Sequence, residues 1–252
     1  KRYLQIIFPY KREMNKEEKY PLILFIPGSA WHKQEMYNDI PQYATLAKRG
    51  YVVAVMQYRE SDIAPFPAQV EDVCNALKFI PSIAENFHID TERIFLMGNS
   101  SGGHIAMMTV LFSEHGLCEK ITNISGVILE SASTDILICA KDPLPPWMQV
   151  RPSAVLLGVD KIEGNEELAR KASCGMYITK DIELPAVLLL HSELDPIVSV
   201  ENSRVLYDNL VATGHETSYY ELEDNDAHGG ATNYDSEVLN IIQKFCTEHT
   251  VY

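Results

Sequence analysis

The chain has 252 residues, of which 46% are hydrophobic and 22% are charged, a composition typical of soluble globular proteins with a substantial core. Its formal net charge of −14 argues against nucleic acid and against anionic membrane surfaces as partners, because both demand basic patches. No apolar run approaches the roughly 18 residues that a membrane-spanning helix needs. The five cysteines are odd in number and scattered through mostly apolar stretches, which predicts small buried side chains without a disulfide framework.

Segments with the hydrophobic periods of strands and helices alternate along the whole chain. The runs that predict strands lie at 4–9, 21–26, 51–56, 93–96, 127–129, 185–191 and 217–222. The segments that predict helices lie at 40–48, 67–80, 104–111, 166–172, 200–213 and 237–245. Such alternation is typical of a mostly parallel sheet with helices on both faces, so residues 1–252 are predicted to form a single α/β domain.

Two stretches are expected to interrupt this pattern. Asp90 or Thr91 is predicted to cap a short turn just before the strand at 93–96. Residues 133–159 contain four prolines and show no clear period, which predicts an irregular but ordered excursion over one end of the sheet. Long irregular loops of this kind often carry function.

Residues 97–103 form the stretch around which the chain is organised. They contain Gly98-x-Ser100-x-Gly102 between a predicted strand and a predicted helix, which is the context of a nucleophile elbow. Gly98 and Gly102 are required there because a Cβ at either position would crowd the neighbouring strand or helix. A glycine-rich turn that binds an anion at a helix N-terminus has the same short motif. An acid and then a histidine farther along the chain favour the elbow.

Reacting groups in a parallel sheet gather beyond the carboxyl ends of its strands. Asp195 follows the strand at 185–191, and His228 follows the strand at 217–222, which completes the order Ser100, acid, histidine. These three residue types suit nucleophilic catalysis, because the imidazole takes the serine proton and the carboxylate orients the imidazole. Read separately, Asp195 could cap a helix and His228 could be a solvated loop residue. Their joint order favours a catalytic triad.

Other acids and histidines are weaker candidates for this chemistry. Glu193, Asp224 and Asp226 are the rival acids. His191 ends a buried strand and His104 lies just inside the elbow helix, so both are predicted to be structural. No cluster of histidine, cysteine and carboxylate residues has the spacing of a ligand set, so neither a metal nor a cofactor is predicted.

A tetrahedral intermediate formed on the serine would also need an oxyanion hole. One donor is predicted to be the backbone N–H of Ser101, the residue after the nucleophile. The other is predicted in the loop after the strand at 21–26, from the N–H of Ser29 or Ala30. Trp31 and Trp147 are the predicted substrate contacts, and the alternative for Trp31 is an anchor in the core.

Two short stretches resemble motifs of small bacterial serine esterases. Residues 27–31, Pro-Gly-Ser-Ala-Trp, are similar to His-Gly-Gly-Gly-Trp, and residues 98–104, Gly-Asn-Ser-Ser-Gly-Gly-His, are similar to Gly-x-Ser-Ala-Gly-Gly-His. That group includes acetylxylan and feruloyl esterases and relatives of hormone-sensitive lipase. The likeness extends over residues 3–247, and its further matching stretches are 58–59, 66–69 with Asp72, and 191–198.

The resemblance implies an α/β-hydrolase fold with Ser100 as nucleophile, Asp195 as acid and His228 as base. It implies a carboxylic-ester hydrolase for acetyl or feruloyl groups on carbohydrate, with a small-molecule or oligosaccharide ester as its partner. Pro27 and the two residues at 29–30 depart from the family pattern, so a backbone donor survives only if the loop does not need positive φ there. The excursion at 133–159 is short beside the caps of many relatives, which implies an open site and small acyl esters.

Two other functions remain open at this point. An amide-cleaving relative, such as an aryl formamidase or a prolyl-oligopeptidase-type peptidase, would use the same motifs. A non-catalytic binding protein of this fold typically lacks the serine or the histidine, and both are present here. The cytoplasm is the expected compartment by default, with secretion as the alternative if a leader precedes the first residue given. Nothing in the sequence indicates the oligomeric state.

Overall fold

The structure is a computed structural model that describes residues 2–10, 18–144, 148–223, 228 and 234–250. Its strands are β1 (Leu4–Ile7), β2 (Tyr20–Ile26), β3 (Val52–Met56), β4 (Ile89–Asn99), β5 (Ile124–Glu130), β6 (Ala186–Ser192) and β7 (Thr217–Leu222). Its helices are α1 (Ile40–Lys48), α2 (Ala68–Ile83), α3 (Ser101–Glu114), α4 (Ile136–Cys139), α5 (Pro152–Leu157), α6 (Glu166–Lys171), α7 (Glu201–Thr213) and α8 (Ser236–Glu248). A short 3-10 helix follows α6 at Cys174–Tyr177.

Within the described ranges the strands form one seven-stranded sheet in the order β1-β3-β2-β4-β5-β6-β7. Strand β1 pairs antiparallel with β3, and every other neighbouring pair is parallel. The predicted α/β class with a mostly parallel sheet is confirmed. Because parallel strands end at the same edge, the segments that follow β2, β4, β5 and β6 meet there.

Strand β2 shows why these apolar runs become buried strands. Alternate side chains of a strand point to opposite faces of the sheet. Leu22, Leu24 and Ile26 pack in one core cluster beneath α2 and α3, and Ile23 and Phe25 pack in the other beneath α1 and α8. Both faces are therefore covered. Full burial of each such side chain stabilises the fold by about 1.5–3 kcal/mol, which fixes the sheet that carries the site.

Strand β4 starts earlier than the sequence predicted. The expected separate turn before the strand is wrong, because β4 runs without interruption from Ile89 to Asn99. Asp90 does cap locally, since its Oδ1 accepts the Glu92 N–H at 2.9 Å inside the strand. Its register against β2 jumps between the pairs Pro21–Asp90 and Leu22–Ile94, so the polar residues between them bulge out of the ladder. A bulge of this kind keeps a strand continuous across residues that cannot face the core.

The excursion at 133–159 is more regular than predicted, since it contains α4 and α5. Asp135 begins α4 by accepting the backbone N–H groups of Leu137 and Ile138, and Gly158 ends α5 at a φ of 68°. Short helices of four and six residues lack the long apolar period that sequence analysis detects. No helix in the described part of the chain is long and apolar enough to cross a membrane.

Candidate active site

Ser100 lies at a sharp turn between β4 and α3. Its backbone has φ 52° and ψ −126°, a strained conformation for a residue with a Cβ. A Cβ on Gly98 would lie 2.6 Å from the backbone of Gly102, and a Cβ on Gly102 would lie 1.9 Å from the carbonyl oxygen of Ile26. Glycine is therefore the only residue that fits at either position. The Ser100 N–H donates to the carbonyl of Glu130 at 2.8 Å, which ties the turn to β5.

Three side chains form a hydrogen-bonded chain at this turn. His228 Nε2 lies 3.0 Å from Ser100 Oγ, and His228 Nδ1 lies 2.8 Å and 3.0 Å from the two carboxylate oxygens of Asp195. A carboxylate can only accept, so Nδ1 carries the imidazole proton and Nε2 is free to accept from the serine. The structure thus brings together the three residues predicted for the triad, which come from three separate strand ends.

Asp195 is held as an ionised carboxylate. Its side chain is fully buried, and Oδ1 accepts the backbone N–H groups of Ile197 and Val198 at 2.9 Å and 3.0 Å. Burial raises the pKa of this carboxyl, but the hydrogen bonds of His191 and His228 outweigh burial and hold the pKa well below its usual value. Asp195 both caps the turn after β6 and bonds His228. Glu193 is exposed and is not the carboxylate that bonds His228.

Two buried histidines support the site without facing Ser100. His191 Nε2 donates to the carbonyl of Val198 at 3.0 Å, and its Nδ1 pairs with the Ser203 hydroxyl at 2.7 Å. His104 accepts the indole N–H of Trp31 at Nδ1 and donates from Nε2 to the carbonyl of Ala172 at 2.7 Å. Burial lowers the pKa of His104 to about 4, so the ring is neutral and can accept from the tryptophan.

The loop after β2 faces the nucleophile and is bonded to the residues around it. The Gly28 N–H donates to Asn99 Oδ1 at 2.7 Å, and the Ser29 N–H donates to Ser101 Oγ at 3.0 Å. Ala30 and Trp31 have φ values of 53° and 60°. The loop does adopt positive φ at two residues that are not glycine, so the condition stated from the sequence is not met. The hydrogen bonds from Gly28 and Ser29 hold the loop in this conformation against a cost of roughly 1–2 kcal/mol for each residue.

Ser100 opens into a small cavity of about 70 Å³. Ala30 and Trp31 form one side of the cavity, and the segments at 142–144 and 148–153 form another. Trp31 is only 3% exposed, so it is a core residue whose edge reaches the cavity. Trp147, the other predicted substrate contact, lies outside the described residues, as do Asp224 and Asp226.

Several polar residues at the site were missed by sequence reasoning. Asn99 binds the loop at 28–31, Tyr58 Oη lies 3.0 Å from the carbonyl of Pro27, and Asp142 and Arg151 line the cavity. The position of Asn99 directly before the nucleophile was an available signal. Asp142 and Arg151 had none, because the stretch that carries them has no period. Among the described residues, no group of three or more histidine, cysteine or acidic side chains could hold a metal ion.

This strand order, with a serine at positive φ between β4 and α3, is that of the α/β-hydrolase fold. Residues 5–210 match the protein family described as BD-FAE, and the chain belongs to that family. Its relatives include esterase LipC of Mycobacterium tuberculosis, which is 23% identical over 230 residues, covering 86% of this chain and 55% of LipC. The chain spans about half the length of the curated relatives that match over most of it.

Solved structures show the same fold at low sequence identity. A truncated carbohydrate esterase from gut microbiota is 24% identical with a TM-score of 0.80, covering 98% of this chain and 90% of that one. An acetyl ester-xyloside bifunctional hydrolase from Caldicellulosiruptor lactoaceticus is 19% identical with a TM-score of 0.75, covering 98% and 88%. Esterase B from Lactobacillus Rhamnosis is 18% identical with a TM-score of 0.79, covering 97% and 80%.

Proposed function

We propose that this chain is a serine carboxylic-ester hydrolase that removes small acyl groups, acetyl in the first place, from carbohydrate. The observation that carries the proposal is the hydrogen-bonded chain from Ser100 through His228 to Asp195. Its distances of 3.0 Å and 2.8 Å are those of a nucleophile, a base and an orienting carboxylate. Membership of the BD-FAE family and the esterases among the relatives support the same reaction class.

The proposed reaction proceeds through an acyl-enzyme. His228 Nε2 takes the proton of Ser100 Oγ as that oxygen attacks the ester carbonyl carbon, and the Asp195 carboxylate stabilises the imidazolium that forms. The tetrahedral intermediate then expels the alcohol, which receives the proton from His228. Water repeats the two steps on the acyl-enzyme, with His228 as base, and releases the acid and the free serine.

The oxyanion of both intermediates is assigned to the N–H groups of Ser101 and Ala30. Ser101 begins α3, so its N–H has no acceptor within the helix and the positive end of the helix dipole lies beside it. Of the two candidates in the facing loop, Ser29 gives its N–H to the Ser101 side chain. Ala30 lines the cavity together with Ser100, which favours its N–H as the second donor.

The similar solved structures favour acetyl as the acyl group. Two of these structures are a carbohydrate esterase and an acetyl ester-xyloside bifunctional hydrolase, which supports an acetylated sugar as substrate. Residues of the excursion at 133–159 line the cavity, so we assign that stretch to the substrate side of the domain.

The first test is turnover of p-nitrophenyl acetate by the wild type and by Ser100→Ala. Activity in the wild type that falls by more than about 10⁴-fold in the variant is expected, because the variant lacks the nucleophile. Equal rates for the two proteins would refute the proposal. Intact Ser100→Ala, judged by its thermal unfolding, is the control for folding.

A substrate panel then separates the ester from the amide reading. Acetylated xylo-oligosaccharide is expected to be the best of three substrates, above methyl ferulate and N-formylkynurenine. Faster turnover of N-formylkynurenine would favour an aryl formamidase instead. Faster hydrolysis of methyl ferulate would support the esterase function but contradict acetyl as the preferred acyl group.

A further inference from the structure

The Ser101 side chain lies where the oxyanion loop meets the nucleophile elbow. It is fully buried, and its hydroxyl accepts the Ser29 N–H at 3.0 Å across 72 residues of sequence. In the esterase motif that residues 98–104 resemble, alanine stands at this position and no such acceptor exists. The side chain is therefore a feature of this chain that the elbow motif does not require.

Tyr58 fixes the direction in which the Ser101 hydroxyl points. Tyr58 is 1% exposed, and its Oη lies 3.0 Å from the carbonyl oxygen of Pro27 and 3.3 Å from Ser101 Oγ. The carbonyl can only accept, so the single phenol proton is directed to the loop, and Tyr58 must accept from Ser101. Burial raises the pKa of Tyr58 to about 12, against the effect of its hydrogen bonds, so this proton stays in place.

The Ser29 hydroxyl proton is also used in a hydrogen bond. Its Oγ donates to the carbonyl of His32 at 2.6 Å, so it accepts at the 2.9 Å contact with Tyr58, whose one proton is shared between Ser29 Oγ and the Pro27 carbonyl. The resulting order of donors starts at the Ser29 N–H, passes through Ser101 and Tyr58, and ends at the Pro27 carbonyl. This chain of hydrogen bonds starts and ends in the loop at 27–31 and therefore holds that loop in one orientation.

We propose that the Ser101 hydroxyl is a positioning residue for the oxyanion hole, acting in addition to the Ser101 N–H. Because it accepts the Ser29 N–H, that N–H cannot donate to the substrate. The same hydrogen bond orients the next peptide so that the Ala30 N–H points to the oxyanion. Among the described residues, the Ala30 N–H has no acceptor and is therefore free to donate to an oxyanion. The inference rests on the proposed esterase function.

Ser101→Ala tests this role, because it removes the hydroxyl and leaves the backbone N–H of the same residue in place. Acylation and deacylation both pass through an oxyanion, so kcat for p-nitrophenyl acetate is expected to fall about 10- to 100-fold. KM is expected to change less than about threefold, because the ground-state ester does not use the hole. The rate of inactivation by diethyl p-nitrophenyl phosphate is expected to fall with kcat.

Ser113→Ala is the matched control. Ser113 lies on the same helix, is 4% exposed, and accepts the backbone N–H of Ile121 at 2.8 Å, far along the helix from the elbow. Its loss removes the same kind of hydrogen bond, so both variants are expected to lose similar thermal stability. Only Ser101→Ala is expected to lose kcat.

Tyr58→Phe breaks the same chain at its next link and is expected to lower kcat in the same direction. If both residues act through one loop orientation, the double variant loses no more kcat than the less active of the two single variants. Independent effects on kcat would multiply. Wild-type kcat in Ser101→Ala, or an equal loss in Ser113→Ala, would overturn the inference while the esterase function stands. A wild type that does not turn over esters would refute the proposed function, and this inference with it.

Discussion

The nucleophile elbow and the loop that faces it reach strained backbones by different means. Ser100 has φ 52° and Ala30 has φ 53°, so each region places a residue with a Cβ in a strained backbone conformation. At the elbow, Gly98 and Gly102 allow backbone to pack directly against backbone, and the strand and helix on either side hold the turn. The loop packs as closely only at its start, where a Cβ on Gly28 would lie 2.8 Å from the carbonyl oxygen of Asn99. The elbow region also holds the loop through side-chain hydrogen bonds as far as Trp31.

The comparison indicates where each region tolerates change. A turn fixed by close backbone packing fails when any atom is added. A loop fixed by hydrogen bonds keeps its fold when a partner is lost but loses the direction of its N–H groups. The elbow should therefore respond to substitution in stability, and the loop in rate.

Gly102→Ala is expected to have the largest effect. The added Cβ would lie 1.9 Å from the carbonyl oxygen of Ile26, where backbone cannot yield, so we expect a loss of more than about 4 kcal/mol in unfolding free energy. Gly50→Ala is the control, because a Cβ on Gly50 would have no atom within 4 Å, and only the positive φ of 99° opposes the substitution. It is expected to lose only about 1–2 kcal/mol in chemical denaturation. Equal losses of unfolding free energy in the two variants would contradict the role of close backbone packing at Gly102.

Glu130→Gln is expected to have the next largest effect, and it depends on pH. Glu130 is fully buried, and burial raises its pKa to about 8 although the Tyr234 hydroxyl beside it lowers the pKa. Between its unfolded pKa of about 4.3 and the folded value, only the folded state keeps the proton, so stability is lost as pH rises through this window.

The glutamine variant lacks this proton and should be more stable than the wild type by about 2 kcal/mol or more at pH 8.5, with the difference shrinking toward pH 5. Esterase activity should persist, because Ser100 bonds the backbone carbonyl of residue 130 and not its side chain. Glu85→Gln, at an exposed position, serves as the control in the same denaturation series. A stability difference independent of pH would contradict the buried-carboxyl argument.

Ala30→Gly is expected to have the smallest effect. Glycine adopts positive φ without strain, so the variant should gain up to about 1 kcal/mol in unfolding free energy and keep kcat within about threefold, since the N–H remains. Ala140→Gly, at an ordinary φ of −67°, is the control and should lose stability by a similar amount. A large drop in kcat for Ala30→Gly would show that the Cβ, beyond the backbone, shapes the hole.

Local sequence was enough to predict most of the elements. Helix α1 and strand β7 have the bounds that their periods predicted, 40–48 and 217–222. Strand β4 was predicted too short because its first residues are polar and bulge from the ladder. The short helices at 136–139 and 152–157 were predicted as irregular chain, because a helix of one or two turns has too few residues to show a period.

The sequence by itself determined the order Ser100, Asp195, His228 and the need for glycine at 98 and 102. Both depend on residue identity and on position relative to strands, which can be inferred along the chain. Only the tertiary structure decided that the Ser29 N–H goes to the Ser101 hydroxyl and that Ala30 lines the cavity. The partner of a backbone N–H depends on side chains from elements some 70 residues away, so no local pattern can reveal it.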